Sequence, residues 1–314
     1  MKNLRLISGN ASPVFAAKVA EHCGVTLCDG NISTFADGEI QVEIHESIRG
    51  KDVFVIQSTC TPTNNNLMEL FLILDACQRA SANSITAVIP YYGYARQDRK
   101  VAPRAPISAK CVADLVTAAG ADRVVSIDLH SAQIQGFFNC PVDHLYAIPT
   151  LAKMWKEKMG ESDEYVIVSP DAGGVERVRA FAKRIGAPIA IIDKRRTGPN
   201  EAKALHLIGD VEGKTAVIVD DMIDTAGTLV QAVDSLLKNG AKRVFAVATH
   251  PLFSGPAMSR LNESAIEKIF VTDTIPLNEE AKKSNKIEVV SVAPVVAEAI
   301  SRIYSHDSVS SLFN

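Results

Sequence analysis

An α/β fold in two similar domains, each a mostly parallel sheet flanked by helices, is predicted by three features of the sequence. Short apolar runs rich in Val and Ile alternate with helix-length stretches, the pattern of βαβ units. Most of these runs lack polar alternation, as expected of strands buried on both faces. The 314 residues exceed one ordinary core, and segments of the first half recur in the second.

The candidate strands run, in order, over Leu4–Ile7, Val53–Gln57, Ile85–Ile89, Val124–Ile127, Val166–Val168, Ile189–Asp193, Ala216–Val219, Val244–Ala248 and Ile287–Val290. Between them Asn66–Ala80 sets Leu67, Leu70, Phe71, Leu74 and Cys77 at helical spacing. A shift of 120 positions lays VADLVTAAGADRVVSIDLH, ending at His130, over AVDSLLKNGAKRVFAVATH, ending at His250. A second register lays LRLISGNASPVFAAKVAEHCG, from Leu4, over YVIVSPDAGGVERVRAFAKRIG, from Tyr165, with one inserted residue. Both read as copies of one unit, which predicts domains at 1–147 and 148–314 joined near Ala147–Ser162.

With 47% hydrophobic and 22% charged residues, the chain has enough apolar surface to offset the entropy of ordering, so a disordered or collagen-like protein is excluded. The net charge of -3 lacks the basic excess of a general nucleic-acid binder, and no nucleic-acid partner is expected. No run approaches the roughly 20 apolar residues of a membrane span, and Arg5 breaks any signal-peptide core. A cytoplasmic protein with no membrane partner is expected. Cys23, Cys28, Cys60, Cys77, Cys111 and Cys140 show no zinc-type spacing and are expected to be reduced and mostly buried.

The sharpest local signal is TAVIVDDMIDTAGT, Thr215–Thr228: an apolar strand, two adjacent acids, then a small-residue turn opening a helix. Such a turn presents backbone N–H groups and hydroxyls to one point and can hold a phosphate, with Asp224–Thr228 as the cradle. Acids beside a phosphate would repel it unless they serve something else. Asp220 and Asp221 can accept from vicinal sugar hydroxyls, so a ribose phosphate fits both halves. The plain alternative is an acidic strand end followed by an ordinary helix cap at Thr228 or Asp224. There is no GxxxxGK[ST] loop, so any nucleotide is held differently.

That string resembles the phosphoribosyl-pyrophosphate loop of type I phosphoribosyltransferases and of ribose-phosphate pyrophosphokinases. IDLHSAQIQGFFNCPVDH, Ile127–His144, resembles the signature of the second family, and further matches follow in order. These are FADGE (Phe35–Glu39), IQSTCTPTNNNLMEL (Ile56–Leu70), PYYGYARQDRK (Pro90–Lys100), VSPDAGGVERVRA (Val168–Ala180) and DKRR (Asp193–Arg196). The resemblance runs from end to end, and on it the chain is identified as a member of the ribose-phosphate pyrophosphokinase family, phosphate-activated class. It implies type I phosphoribosyltransferase-like domains, the second carrying the ribose 5-phosphate loop. It implies transfer of the diphosphoryl group of MgATP to the 1-hydroxyl of ribose 5-phosphate.

By that resemblance Lys194 and Arg196 are the catalytic cations, set in a basic flap that closes on the triphosphate. Ribose 5-phosphate is bound by Arg196, Asp220, Asp221, Asp224, Thr225, Ala226, Gly227 and Thr228. ATP is bound by Phe35, Asp37, Gly38 and Glu39 and by Arg96, Gln97, Asp98 and Arg99, segments that the family places across a subunit boundary. Phe35 suits stacking on adenine, and the arginines suit the phosphates. FADGE also reads as a plain turn, and YYGYARQDRK as an exposed basic loop. Mg2+ is the implied cofactor, with His130 and Asp171 at metal positions and Asp128 near enough in sequence to support His130; oxygen ligands suit it better than an imidazole. Phosphate and ADP are the implied effectors of a homohexamer, at Ser47, Arg49, Ser81, Ser308 and Ser310, with Ser311 nearby.

Two stretches depart from the family pattern. The sequence after Arg196 lacks the usual Pro- and Arg-rich continuation, and Arg99–Lys110 is short. A phosphoribosyltransferase that consumes the product is disfavoured by the duplication, the DLH string and the basic flap. A catalytically silent regulatory subunit is disfavoured because Lys194, Arg196, His130, Asp171 and the whole phosphate loop are present.

Overall fold

In the computed structural model, which describes residues 2–195 and 204–313, the chain alternates strands and helices from end to end. By contact it divides into two compact units, one of Met1–Tyr146, Thr274–Pro276 and Val292–Asn314, the other of Ala147–Asp273 and Leu277–Ser291. The last helix belongs to the first unit.

In the first unit the elements are β1 (Leu4–Ser8), α1 (Pro13–Cys23), β2 (Gly30–Thr34), β3 (Ile40–Ile44), β4 (Asp52–Ile56), α2 (Thr63–Arg79), β5 (Ser84–Ile89), α3 (Ser108–Ala118), β6 (Arg123–Ile127) and β7 (Val142–Leu145). Among the described residues β1-β4-β5-β6-β7 form one sheet, paired in parallel throughout, and β2 and β3 form an antiparallel hairpin beside it. The second unit contains α4 (Ile148–Met159), β8 (Tyr165–Ser169), α5 (Val175–Ile185), β9 (Ile189–Arg195), β10 (Ala204–Ile208), β11 (Thr215–Ile223), α6 (Gly227–Lys238), β12 (Arg243–Pro251), α7 (Ala257–Glu263), β13 (Lys268–Thr272), α8 (Glu279–Lys283) and β14 (Ile287–Val290). Its sheet order is β10-β9-β8-β11-β12-β13-β14, parallel except for β10 against β9. The terminal helix α9 (Ala293–Ser305) lies against α1.

Every expected strand is present, and the central ones are buried along their length, as their unbroken apolar runs require. β2, β3, β7, β10 and β13 were not among the expected strands; in the hairpin, GNIST and IQVEI carry polar residues and have no fully buried position, whereas β7 and β13 are short and mostly buried. The helix expected at Asn66–Ala80 begins three residues earlier, at Thr63. All six cysteines are free; Cys23, Cys60 and Cys77 are buried, Cys28 and Cys140 half-buried, and Cys111, against expectation, exposed. Burial pushes the Cys60 thiol up to about 11 and that of Cys77 to about 12, which keeps both unreactive.

The two registers of the internal repeat fare differently. Starting from β1 and β8, the sheets run β1-β4-β5-β6-β7 and β8-β11-β12-β13-β14, so overlaying β1-α1 on β8-α5 pairs equivalent elements. The 120-residue shift lays β6, fourth in its series, on β12, third in the other. Its shared letters come from turn chemistry. Both α3 and α6 end in a left-handed glycine, Gly120 and Gly240, followed by an alanine whose N–H bonds back to Val116 or Leu236 before a buried strand begins.

The largest fully buried side chain is Trp155 of α4. Tyr165, Phe181, Phe245 and Phe270, from β8, α5, β12 and β13, present their rings to it edge-on, with centroids 5.5, 6.4, 5.5 and 5.8 Å away. One helix is thereby anchored to the middle of the sheet. Replacing Trp155 with Ala is expected to cost the second unit about 3–5 kcal/mol, the scale of a large buried truncation, read as a lower midpoint in chemical denaturation.

Candidate active site

The β8–β11 boundary is where the second sheet reverses its winding. The chain leaves β8 through α5 toward β9 on one side, and leaves β11 through α6 toward β12 on the other. The loops after β8 and β11 therefore part and leave a crevice at the carboxyl ends of the strands, the position where open α/β sheets bind ligands. Pairing of β11 with β8 stops at Ile218↔Val168, and β11 continues beside β12 alone to Ile223↔Pro251. Asp220 and Asp221 stand on that projecting end.

Asp221 is buried and Asp220 about one-third exposed (31%). Asp220 Oδ1 accepts the Asp221 backbone N–H at 2.8 Å. Arg177, from the first turn of α5, places Nη1 3.4 Å from Asp220 Oδ1 and 3.6 Å from Asp221 Oδ1. Burial pushes the Asp220 carboxyl well above its usual range, the neighbouring Asp221 pushes it further, and Arg177 opposes both.

The turn beyond the acids is held from behind. Ala226 adopts a left-handed conformation (φ 58°) and stands at the N-cap of α6, where no side chain caps the helix. The alternative of an ordinary cap at Thr228 or Asp224 is thus not what the turn forms. Phe253 N–H donates to Ile223 O and Ser254 N–H to Asp224 O, both at 3.0 Å, and Arg260 Nη1 donates to Thr225 O at 3.0 Å. A Cβ on Gly227 would lie 3.2 Å from Arg260 Nη1, so glycine lets the backbone rest against that guanidinium. Thr225 and Thr228 are exposed, and among the described residues no hydrogen bond takes up their hydroxyls, which leaves them and the first-turn amides able to meet an anion.

Across the crevice, Asp171 Oδ1 accepts the N–H groups of Gly173 and Gly174 at 2.9 and 3.1 Å, while the Ser169 hydroxyl donates to Asp171 O at 2.6 Å. Asp171 is exposed, and among the described residues its Oδ2 accepts no hydrogen bond. A fixed carboxylate with one open oxygen suits magnesium, which takes one or two protein oxygens and completes its shell with water and phosphate. No group of three or more metal-ligating side chains forms among the described residues.

In the first unit His130 is exposed just past the end of β6. Asp128 is buried with φ 40°, and the next N–H, of Leu129, donates to His144 Nε2 at 2.9 Å. FADGE is the turn of the β2–β3 hairpin: Phe35 N–H donates to Glu39 O, Gly38 N–H to Phe35 O, and Glu39 N–H to Asp37 Oδ1, with Gly38 at φ 96°. Phe35 is 51% exposed at its tip, so the turn reading and the stacking reading describe the same residues. Arg96, Gln97 and Arg99 are exposed in the loop after β5, and Asp98 is half-buried; Gln97 Oε1 accepts from the Ser108 hydroxyl. Arg49 and Ser81 meet, Nη1 to Oγ, at 3.1 Å, with exposed Ser47 in the same loop as Arg49. Arg302 gathers the C-terminal serines by donating to Ser308 O and the Ser311 hydroxyl, and Ser310 N–H donates to Ser308 Oγ. Among the described residues no hydrogen bond joins the Arg49–Ser81 pair to that serine group.

Lys194 lies at the end of β9, its backbone opposite Leu205 of β10. Arg196 lies outside the described residues. Arg177 and Arg260 were assigned no role from the sequence, although VSPDAGGVERVRA contains the first. The available signal was a cation in the first turn of a helix, where the helix dipole disfavours it.

A profile of the N-terminal domain of ribose phosphate pyrophosphokinase matches residues 4–120, and one of the phosphoribosyl synthetase-associated domain matches residues 195–314. A ribose-phosphate pyrophosphokinase of Caldanaerobacter subterraneus subsp. tengcongensis is 59% identical over 312 residues, covering 99% of this chain and 98% of that one. The chain belongs to the ribose-phosphate pyrophosphokinase family. The Aquifex aeolicus protein of that name is 54% identical, with both chains covered completely. The crystal structure of phosphoribosylpyrophosphate synthetase from Mycobacterium smegmatis superposes with a TM-score of 0.91 at 44% identity, covering 97% of this chain and 99% of that one. The family and the α/β fold expected from the motifs are borne out.

The folded protein binds the Asp220 proton more tightly than the unfolded chain does. The ionised carboxylate therefore costs stability, increasingly as pH rises through the ordinary carboxylate range and until the folded-state pKa is passed. Asp220→Asn is expected to raise the unfolding free energy near neutral pH by about 0.5–2 kcal/mol. The gain should disappear in acid below that range, which denaturation curves at the two pH values would show.

Proposed function

We infer that the chain is a working ribose-phosphate diphosphokinase: it transfers the diphosphoryl group of MgATP to the 1-hydroxyl of ribose 5-phosphate, giving 5-phospho-α-D-ribose 1-diphosphate and AMP. What carries the reading is the pairing, at one sheet crevice, of an anion-ready turn with two carboxylates. A phosphorylated sugar needs both, the turn for its phosphate and the acids for its hydroxyls.

In this reading the N-terminal amides of α6 and the hydroxyls of Thr225 and Thr228 hold the 5-phosphate, with Asp224, Ala226 and Gly227 shaping the turn. Asp220 and Asp221 accept from the 2- and 3-hydroxyls, which fixes the ring and leaves the 1-hydroxyl as the nucleophile. Phe35 stacks on adenine, Asp37, Gly38 and Glu39 shape its rim, and Arg96, Gln97, Asp98 and Arg99 serve the nucleotide's phosphates and ribose. Lys194 and Arg196 place positive charge on the group in transfer, where negative charge spreads over the phosphoryl oxygens. Asp171 would hold Mg2+, which when bound neutralises the triphosphate and draws electrons from the attacked phosphorus, and His130 is the other metal position that the family resemblance implies.

The wider proposal has the two domains expected from the sequence, 1–147 and 148–314, in a cytoplasmic homohexamer of the phosphate-activated class. Phosphate and ADP act through Ser47, Arg49, Ser81, Ser308 and Ser310. The Arg49–Ser81 contact supports this, since a guanidinium beside a hydroxyl is an anion's usual pair of donors. No described helix is long and apolar enough to cross a membrane.

The test is formation of AMP and 5-phospho-α-D-ribose 1-diphosphate from ATP and ribose 5-phosphate, assayed with magnesium and again after chelation. Equimolar products that vanish on chelation are expected. Lys194→Ala should lower turnover by roughly 100-fold to 1,000-fold, the scale for losing one preorganised donor. Wild-type protein that binds ATP yet forms neither product would make the silent-subunit reading the better one.

A further inference from the structure

Arg177 has no part in the roles assigned above, yet it is the cation at the centre of the crevice. Its position in the first turn of α5 is one that the helix dipole disfavours for a positive charge. Its side chain is only 18% exposed, and a single nitrogen, Nη1, faces both Asp220 Oδ1 and Asp221 Oδ1. A Cβ built on Gly174 would stand 3.8 Å from that Nη1 and 3.9 Å from Asp171 Oδ1, so the guanidinium also borders the loop after β8.

The distances matter. At 3.4 and 3.6 Å the two contacts are longer than the 2.7–2.9 Å usual for charge-assisted hydrogen bonds. Arg177 therefore supplies charge to both acids through one long hydrogen bond to Asp220 Oδ1, which also takes the Asp221 N–H, and a longer ion pair to Asp221 Oδ1. Without a shared cation, two adjacent carboxylates in a poorly solvated place tend to share a proton, and a protonated carboxyl donates where a sugar hydroxyl needs an acceptor.

We propose that Arg177 is a positioning residue for sugar recognition: by holding Asp220 and Asp221 together as paired acceptors, it sets the preference for a pentose with vicinal 2- and 3-hydroxyls over a 2-deoxy pentose. The inference rests on the reading of this loop as the ribose 5-phosphate site. Arg177 acts through the two acids and touches no reacting atom.

The experiment measures, on the full-length protein, the KM for ribose 5-phosphate, the inhibition constant of 2-deoxyribose 5-phosphate as a competitor, and the KM for ATP, in wild type, Arg177→Gln, Arg177→Lys and Thr228→Ala. In wild type the deoxy sugar should bind at least about 10-fold more weakly than ribose 5-phosphate. Arg177→Gln should raise the KM for ribose 5-phosphate by about 10-fold to 100-fold, the scale of one hydrogen bond to a charged group. It should leave the deoxy constant and the KM for ATP within about twofold, so that the ratio between the sugars falls toward one. Arg177→Lys keeps a charge but loses the planar fork, and should give an intermediate ratio.

A wild-type ratio retained in folded Arg177→Gln, or a wild type without discrimination, would overturn the proposal. If circular dichroism shows Arg177→Gln misfolded, Arg177→Lys decides, and an unmoved ratio there counts equally against it. Thr228→Ala separates this failure from a broader one, because it should weaken both sugars by the same factor. No effect of Thr228→Ala on either constant would remove the ribose 5-phosphate site itself. An effect there, with the ratio unmoved in the Arg177 variants, would remove the Arg177 inference alone.

Discussion

Two carboxylates on consecutive residues at the end of a buried strand hinder each other's ionisation, and in the second unit the Arg177 guanidinium is placed to oppose that cost. Arg177 reaches Asp220 and Asp221 only because α5 begins directly after the loop that follows β8, and β8 is the neighbour of β11. The order of the sheet is thus what brings a guanidinium from one crossover to the acids of another. Packing serves the same end, since the edge-on rings around Trp155 tie α4 to β8, α5, β12 and β13 and so fix the strands that frame the crevice.

The turn that follows the acids shows a second balance. Its left-handed Ala226 and uncapped helix start are unfavourable in isolation, and backbone bonds from Phe253 and Ser254 together with the Arg260 side chain hold it in place. Donors left open at the front are matched by acceptors fully used at the back. An arrangement of that kind is stiff before any ligand arrives, which lowers the ordering cost of binding one.

Much of this was legible in the sequence because it rests on short-range pattern. Unbroken apolar runs gave away most of the buried parallel strands, though not β7 or β13, and TAVIVDDMIDTAGT showed strand, acids and turn in a single string. Hairpin strands such as GNIST were not legible, since a strand with one open face can be made of almost any residues. Nor were Arg177 and Arg260. Each acts on residues about 35 to 44 positions away, and only the fold brings them together. The 120-residue repeat misled for a related reason: a helix ending in a left-handed glycine before a buried strand uses the same letters wherever it occurs.

In the first unit the loops after β1 and β4 turn their polar groups on one another. Glu69 accepts from Asn10 N, Asn10 Nδ2 and Gln57 Nε2 at 2.6, 3.0 and 2.8 Å, and Gln57 Oε1 accepts from Ala11 N at 3.1 Å. The Ser58 hydroxyl donates to Thr274 O and the Thr59 hydroxyl to Tyr91 O, and both residues are fully buried. A Cβ on Gly9 would come within 2.2 Å of Gln57 Oε1, so the plug leaves no space. Where the second unit's turn keeps exposed hydroxyls, these loops of the first bond their polar groups to one another, though the buried Ser12 hydroxyl has no partner among the described residues. The equivalent loops of two related folds thus differ in kind: one pair is locked by its own side chains, and the other keeps exposed hydroxyls and an exposed carboxylate.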